Sequence, residues 1–149
     1  MRAVIQRVKE TSLSVDGKLI SEIPFGLAVY LGVAPEDGEE NAVMMAKKIA
    51  ALRIFEDENG KMNLSVRDVK GEVLLISQFT LFGDCRHGNR PGFTGAARPE
   101  TAEPLYRRTA KLLEEQGVPV KLGVFGADMK IRQFNDGPVT CLLYTSPSP

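Results

Sequence analysis

A mixed α/β domain, built on a mixed or barrel-like β-sheet with two main helices, is the fold class this sequence predicts, and three features predict it. Short runs of alternating polarity occur along the chain, with the tight-turn pairs Asp16-Gly17 and Asn59-Gly60 between sheet-forming stretches. One nearly all-apolar run, "GLAVYLGVA" at residues 26–34, has the length of a buried central strand. Two other stretches switch to the helical period. The 149 residues are 43% hydrophobic, which suits a single domain burying roughly 68–70% of the surface its extended chain would expose.

The alternation over residues 3–8 predicts a strand beginning almost at the first residue. "TSLSVDGKLISEI" then reads as a hairpin, because Asp-Gly suits the two positive-φ positions of its turn. After the central strand, Ala42, Met45, Ile49 and Leu52 fall at helical spacing behind acidic residues that suit the positive end of a helix. Asn59-Gly60 marks a second turn. "GEVLLISQFTLF", residues 71–82, reads as one strand with Leu74, Ile76, Gln78 and Thr80 on one face and Leu75, Ser77, Phe79 and Leu81 on the other.

Residues 83–99 hold four glycines and two prolines without any period, a loop long enough to suggest function or disorder. Thr101 is the expected N-cap of the second helix, with Leu105, Thr109 and Leu112 on its apolar stripe and Gly117 as its stop. Strands are expected at residues 120–125, 129–134 and 139–144, with "NDGPVT" at 135–140 as a turn between the last two. The domain therefore spans 1–144, and the polar, proline-punctuated 145–149 has no packing rationale and reads as a disordered or foreign tail.

Composition narrows the chemistry. Lys plus Arg and Asp plus Glu both number 19, so net charge indicates no partner. Two cysteines without CxxC spacing argue for a reducing compartment. With no signal-like segment and no run of ~20 apolar residues, a soluble cytoplasmic protein without a membrane partner is expected. A single His87 and no paired cysteines leave little with which to build a metal site, so neither metal nor cofactor is expected.

A nucleophile relay would need His87 as its base, and no "GxSxG" elbow, Walker loop or "GxGxxG" is present. If the chain is an enzyme, positioning and backbone dipoles must do most of its catalysis. One positive clue is regional: residues 86–111 carry six basic side chains against two acidic ones, while residues 36–40 are acidic. Such a field can hold an anionic backbone, although a solvated helix face with scattered arginines has the same composition. Tyr106 and Phe93 suit either base stacking or core packing.

The segments "IQRV" (5–8), "GKMNLSV" (60–66), "SQFTL" (77–81), "GNRPGFTGAARP" (88–99), "FGADM" (125–129) and "NDGPVT" (135–140) resemble, in order and spacing, the D-aminoacyl-tRNA deacylase family. The resemblance runs from Met1 to about Leu143. It implies that family's fold, homodimeric assembly and hydrolysis of the ester between a D-amino acid and the 3′-terminal adenosine of tRNA. Glycyl-tRNA is an implied further substrate, and the acceptor end of aminoacyl-tRNA is the implied partner.

By the same resemblance Gln78, Phe79 and Thr80 surround the ester, with Thr80 contributing a hydrogen bond or backbone N–H. Gly137 and Pro138, joined by a cis peptide, enter the partner subunit's pocket and reject L-amino acids, and Arg7 orients them. Met129 lines the adenosine side, and the loop carrying Phe93 closes over the entrance. The ribose 2′-hydroxyl is implied to assist attack, so no side chain is indispensable.

Where the family usually has Ser between Pro91 and Phe93, this chain has Gly92, which predicts a looser loop. The alternatives are a dimeric tRNA- or RNA-binding module without catalysis and a purely structural dimeric domain. A deacylase, unlike either, requires a cis Gly137-Pro138 bond projecting across a two-fold interface.

Overall fold

The computed structural model describes residues 1–145, and residues 146–149, which hold most of the expected tail, lie outside that range. Thr145 continues the fold: its N–H donates to the Met1 carbonyl at 3.0 Å. Strand β1, Arg2–Val15, is the axis of the sheet. It pairs antiparallel along its first half with β3, Gly26–Gly32, and along its second half with β2, Lys18–Ile23. The hairpin between β1 and β2 turns on Asp16 and Gly17, whose φ values of 51° and 77° are those the Asp-Gly pair is suited to adopt.

Beyond β3 the sheet turns parallel, continuing to β6, Glu72–Ser77, and β7, Val120–Leu122. Parallel neighbours need a crossover, and each crossover here carries one helix. Helix α1, Glu39–Ala51, lies between β3 and β6, followed by the small hairpin of β4, Phe55–Glu56, and β5, Met62–Leu64. Helix α2, Pro99–Glu115, lies between β6 and β7. The last strand, β8, Met129–Tyr144, runs antiparallel to β1 along nearly its whole length.

Alternation along these strands feeds two cores. Ile5, Leu27, Val29, Leu31, Val73 and Leu75 meet Met45, Ile49, Tyr106 and Leu113 of the helices. On the opposite face Val8, Leu13, Ile23, Ala28, Leu74 and Ile76 pack together beneath Met129 and Ile131, so the curled sheet covers its own second face. The result is a mixed α/β fold with two helices and a nearly closed, barrel-like sheet. Among the described residues no helix is long and apolar enough to cross a membrane.

Several expected boundaries move. Helix α2 is capped by Arg98 and begins at Pro99, two residues before Thr101. Proline is well placed at the first helical position, where no acceptor exists for the N–H it lacks. The buried stripe accordingly runs through Ala102, Tyr106, Thr109, Ala110 and Leu113, leaving Leu105 and Leu112 half-buried at its edges. The strand expected to reach Phe125 stops at Leu122.

The largest correction is at residues 135–140, which form no chain reversal. They belong to β8, where the register passes from Val8↔Asn135 to Gln6↔Thr140, so that residues 136–139 stand opposite Arg7 alone. This wide bulge satisfies the local preference of Asn, Asp, Gly and Pro for turn-like backbone without interrupting the pairing on either side.

Candidate active site

The expected strand over residues 71–82 ends at Ser77, and Phe79–Phe82 forms one turn of 3-10 helix. The Gln78 N–H still donates to the Leu31 carbonyl at 2.8 Å. The chain then bends over Gly32, where a Cβ would stand 2.9 Å from the Phe82 ring and 3.0 Å from the Gln78 carbonyl. Alternation beyond Ser77 is therefore broken by a close approach that only glycine on the neighbouring strand permits. Arg2 braces the turn from outside, with Nη1 donating to the Leu81 carbonyl at 3.0 Å and its guanidinium 4.6 Å from the Phe82 ring centre.

Gly32→Ala is expected to push this turn outward. Overpacking of this kind costs about 1–3 kcal/mol, and a shift of about 1 Å at a reactive centre can lower turnover by ~100-fold. Steady-state kinetics together with thermal unfolding check the two effects separately. Wild-type rates would mean that the turn is not part of the reacting site.

Gln78 and Phe79 open onto a cavity of about 620 Å³ between the end of β6, the start of α2 and the segment before β8. Phe93 and Met129 line it as well, so four of the expected site residues meet at one place. The Phe79 and Phe93 rings stand edge to face, with centroids 5.2 Å apart, and both are substantially exposed. Thr80 lies outside the cavity lining; its hydroxyl accepts from the Gln78 side-chain amide. The N–H groups of Phe79 and Thr80 open the 3-10 turn and donate to no backbone carbonyl among the described residues outside it.

Tyr106 also lines the cavity. Its ring is 1% exposed, and its hydroxyl donates to the Leu75 carbonyl at 2.8 Å, with burial pushing the phenol up to about 12. Stacking on an exposed base is thus ruled out in this conformation, and Tyr106 is part of both core and cavity wall. Arg98 and Asp128 also line the cavity; both stand inside segments that carry the family resemblance, 88–99 and 125–129, but sequence reasoning singled out neither as a site residue.

The loop carrying Phe93 is pinned by a pair of backbone hydrogen bonds, Asp84 N–H to the Gly92 carbonyl at 2.7 Å and Gly92 N–H to the Asp84 carbonyl at 2.9 Å. A Cβ at Gly92 would meet nothing within 4 Å, so this pinning depends on no side chain at position 92. At the loop's other end the Asp84 carboxylate accepts from Arg86 at 2.8 and 2.9 Å and is held at about 2, through the Arg86 side chain first and its N–H second.

The folded value lies below the usual carboxylate value of about 3.9. The contribution of this pair is therefore complete above that range and lost as pH falls through about 2. NMR titration of Asp84 should show a midpoint near 2, moving towards the ordinary value in Arg86→Ala. An ordinary midpoint in the parent protein would show that the pair does not form in solution.

A second group of expected residues is collected elsewhere, at the β8 bulge. Arg7 is 6% exposed; its Nε donates to the Asp136 carbonyl at 3.1 Å and its Nη1 to the Ile54 carbonyl at 2.8 Å. The Asp136 carboxylate lies 3.5 Å from Nε. Gly137, at φ 136°, and Pro138 are joined by a cis peptide and are both exposed. Neither lines the cavity in the same chain.

The basic stretch is less of a field than its composition suggested. Arg86 pairs with Asp84, Arg98 with Glu100, Arg107 with Glu103, and Arg108 with Glu39 and Glu115. Glu39 comes from the acidic run, so the two charged regions partly neutralise each other across α1 and α2. His87 is exposed on the loop, Cys85 and Cys141 are free thiols, and no group of His, Cys, Asp or Glu among the described residues could hold a metal ion.

Comparison with known proteins agrees with this fold. The family profile described as D-Tyr-tRNA(Tyr) deacylase matches residues 4–144. A D-aminoacyl-tRNA deacylase of Bacillus cytotoxicus is 55% identical over 143 residues, covering 96% of this chain and 98% of its own. One from Thermotoga petrophila is 53% identical over 146 residues, covering 98% of each.

A solved structure described as c-Myc DNA Unwinding Element Binding Protein superposes with a TM-score of 0.91 at 42% identity, over 99% of this chain and 100% of that one. Another, described as a probable eukaryotic D-amino acid tRNA deacylase, gives 0.82 at 18% identity over 95% and 97%, a likeness of fold. With the profile spanning the sheet, both helices and the β8 bulge, the chain belongs to the D-Tyr-tRNA(Tyr) deacylase family and is a hydrolytic enzyme.

Proposed function

We propose that the enzyme hydrolyses the ester joining a D-amino acid to the 3′-terminal adenosine of tRNA, as a homodimer in which Gly137-Pro138 of one subunit enters the other's pocket. The observation that carries this is the separation of the two groups of residues. Gln78, Phe79, Phe93 and Met129 share a cavity, while Gly137 and Pro138 stand exposed on a different element and do not line it. A filter built this way needs a second copy of the chain to complete the site.

Water adds to the ester carbonyl carbon, the bond from that carbon to the 3′-oxygen breaks, and the 3′-oxygen takes up the proton that water releases. The ribose 2′-hydroxyl assists the attack. The N–H groups of Phe79 and Thr80 are suited to the developing oxyanion, a role that needs no titrating group. Bare carbonyls at Gly137-Pro138 exclude an L side chain, whereas glycine, with none, passes.

Parallel hydrolysis of D-tyrosyl-, L-tyrosyl- and glycyl-tRNA by the purified protein tests activity and chirality together. The expected order is fast, very slow and fast. Binding of all three without turnover would replace this function with that of an RNA-binding module.

Thr80→Val removes the hydroxyl while keeping the shape of the side chain. The expected loss is about fivefold, the scale of one ordinary hydrogen bond of ~1 kcal/mol. A fall of about a million-fold, as when a covalent nucleophile is removed, would make Thr80 an acyl carrier and overturn the assisted mechanism.

A further inference from the structure

The β8 bulge is held from both faces of the sheet, and only one hold involves Arg7. On the opposite face, Tyr30 Oη donates to Gln133 Oε1 at 2.7 Å. Gln133 Nε2 donates to Gln6 Oε1 and to Asn135 Oδ1, each at 2.5 Å. Gln6 Nε2 completes the chain by donating to Thr140 Oγ1 at 3.4 Å. Asn135 and Thr140 are the last register-paired residues on either side of the bulge. One glutamine therefore ties both feet of the bulge, one directly and one through Gln6, to a tyrosine on β3.

The geometry points to Gln133, with Tyr30 and Gln6, as positioning residues that set where Gly137-Pro138 is presented, and hence how strictly L-amino acids are excluded. This rests on the proposed role of Gly137-Pro138 as the chiral filter. The chemistry suits a fixed support. Burial raises the Tyr30 phenol above its ordinary value, so it remains a donor throughout the neutral range. Both Gln133 polar atoms are committed, oxygen to Tyr30 and nitrogen to Gln6 and Asn135, which leaves the amide one orientation that serves all its partners. Gly137, with no side chain of its own to anchor it, depends on its flanks.

The test is the ratio of kcat/KM on D-tyrosyl-tRNA to that on L-tyrosyl-tRNA. Gln133→Glu keeps the shape of the side chain and the acceptor for Tyr30 but removes both N–H donors. The ratio should fall about tenfold as the L rate rises, a fraction of the ~100-fold that a full 1 Å misplacement can cause. Tyr30→Phe, which removes only the phenol O–H, should move it in the same direction by about threefold.

Gly137→Ala is the reference. If it changes the ratio and neither network variant does, the positioning role is wrong while the filter stands. If Gly137→Ala leaves the ratio unchanged, the filter itself fails and the positioning role with it. If the network variants lower both rates equally, their effect is on stability alone and the assignment is overturned.

Discussion

Gly137→Ala should lower turnover of D-tyrosyl-tRNA by about 100-fold and change the ratio of D to L hydrolysis, because the glycine is both strained for any other residue and central to the presented surface. Its φ of 136° lies where L side chains are rarely found. A Cβ there would stand 2.7 Å from the Val139 backbone nitrogen and 2.8 Å from Val139 Cγ2. Neither clash is with a flexible side-chain end, so the peptide itself must move. The added methyl would also stand on the exposed surface that is proposed to act as the filter.

The backbone penalty alone is on the order of 1–3 kcal/mol, enough to lower the unfolding temperature of a domain this size by several degrees. Rates measured well below that temperature separate the two effects. Unchanged kinetics on both substrates would remove Gly137 from the reaction and, with it, the cross-subunit filter.

How much of this was legible in the sequence depended on how local the cause was. Asp16-Gly17 and Asn59-Gly60 act through their own backbone preferences, and both hairpins form where those pairs stand. The run at residues 26–34 marks the central strand because burial on both faces leaves no room for polar alternation. The misreadings have distant causes. Alternation from Leu74 to Leu81 is continuous in the sequence, yet the backbone turns after Ser77 onto Gly32, some 45 residues earlier in the chain.

"NDGPVT" has the composition of a turn, yet β1 pairs with β8 on both sides of it and absorbs the extra residues as a bulge. Motif resemblance supplied the expected site residues, and the structure gathers them into two groups. The hydrogen-bonded chain from Tyr30 through Gln133 to Thr140 had no signal as a unit: its members come from three strands, and Tyr30 and Gln133, which link it, lie outside every motif segment. Polar residues at half-buried strand positions become interpretable only once their partners are known.

Arg7→Leu is expected to have the largest effect on stability of any single change at the site. The guanidinium is nearly fully buried and joins two segments distant in the chain: the Ile54 carbonyl ahead of β4 and the Asp136 carbonyl at the bulge. Leucine fills part of the volume but donates nothing. The Ile54 carbonyl, left without a partner in a buried place, costs about 1–3 kcal/mol; the part-buried Asp136 carbonyl costs less, and the Asp136 carboxylate loses its counter-charge as well. A total of roughly 2–4 kcal/mol is expected, most of it from the buried Ile54 carbonyl, because the Asp136 carboxylate is 41% exposed and its pairing is screened by water.

Arg7→Lys should recover only part of this, because a single ammonium on a flexible stem does not reproduce two directed N–H groups in a fixed fork. Denaturant unfolding measures the loss, and D- and L-tyrosyl-tRNA kinetics on the folded fraction report the orientation of Gly137-Pro138. Both substitutions should erode chiral discrimination, leucine more than lysine. If Arg7→Lys restored full stability and full discrimination, charge alone would account for the role of Arg7, and the two directed hydrogen bonds would be dispensable.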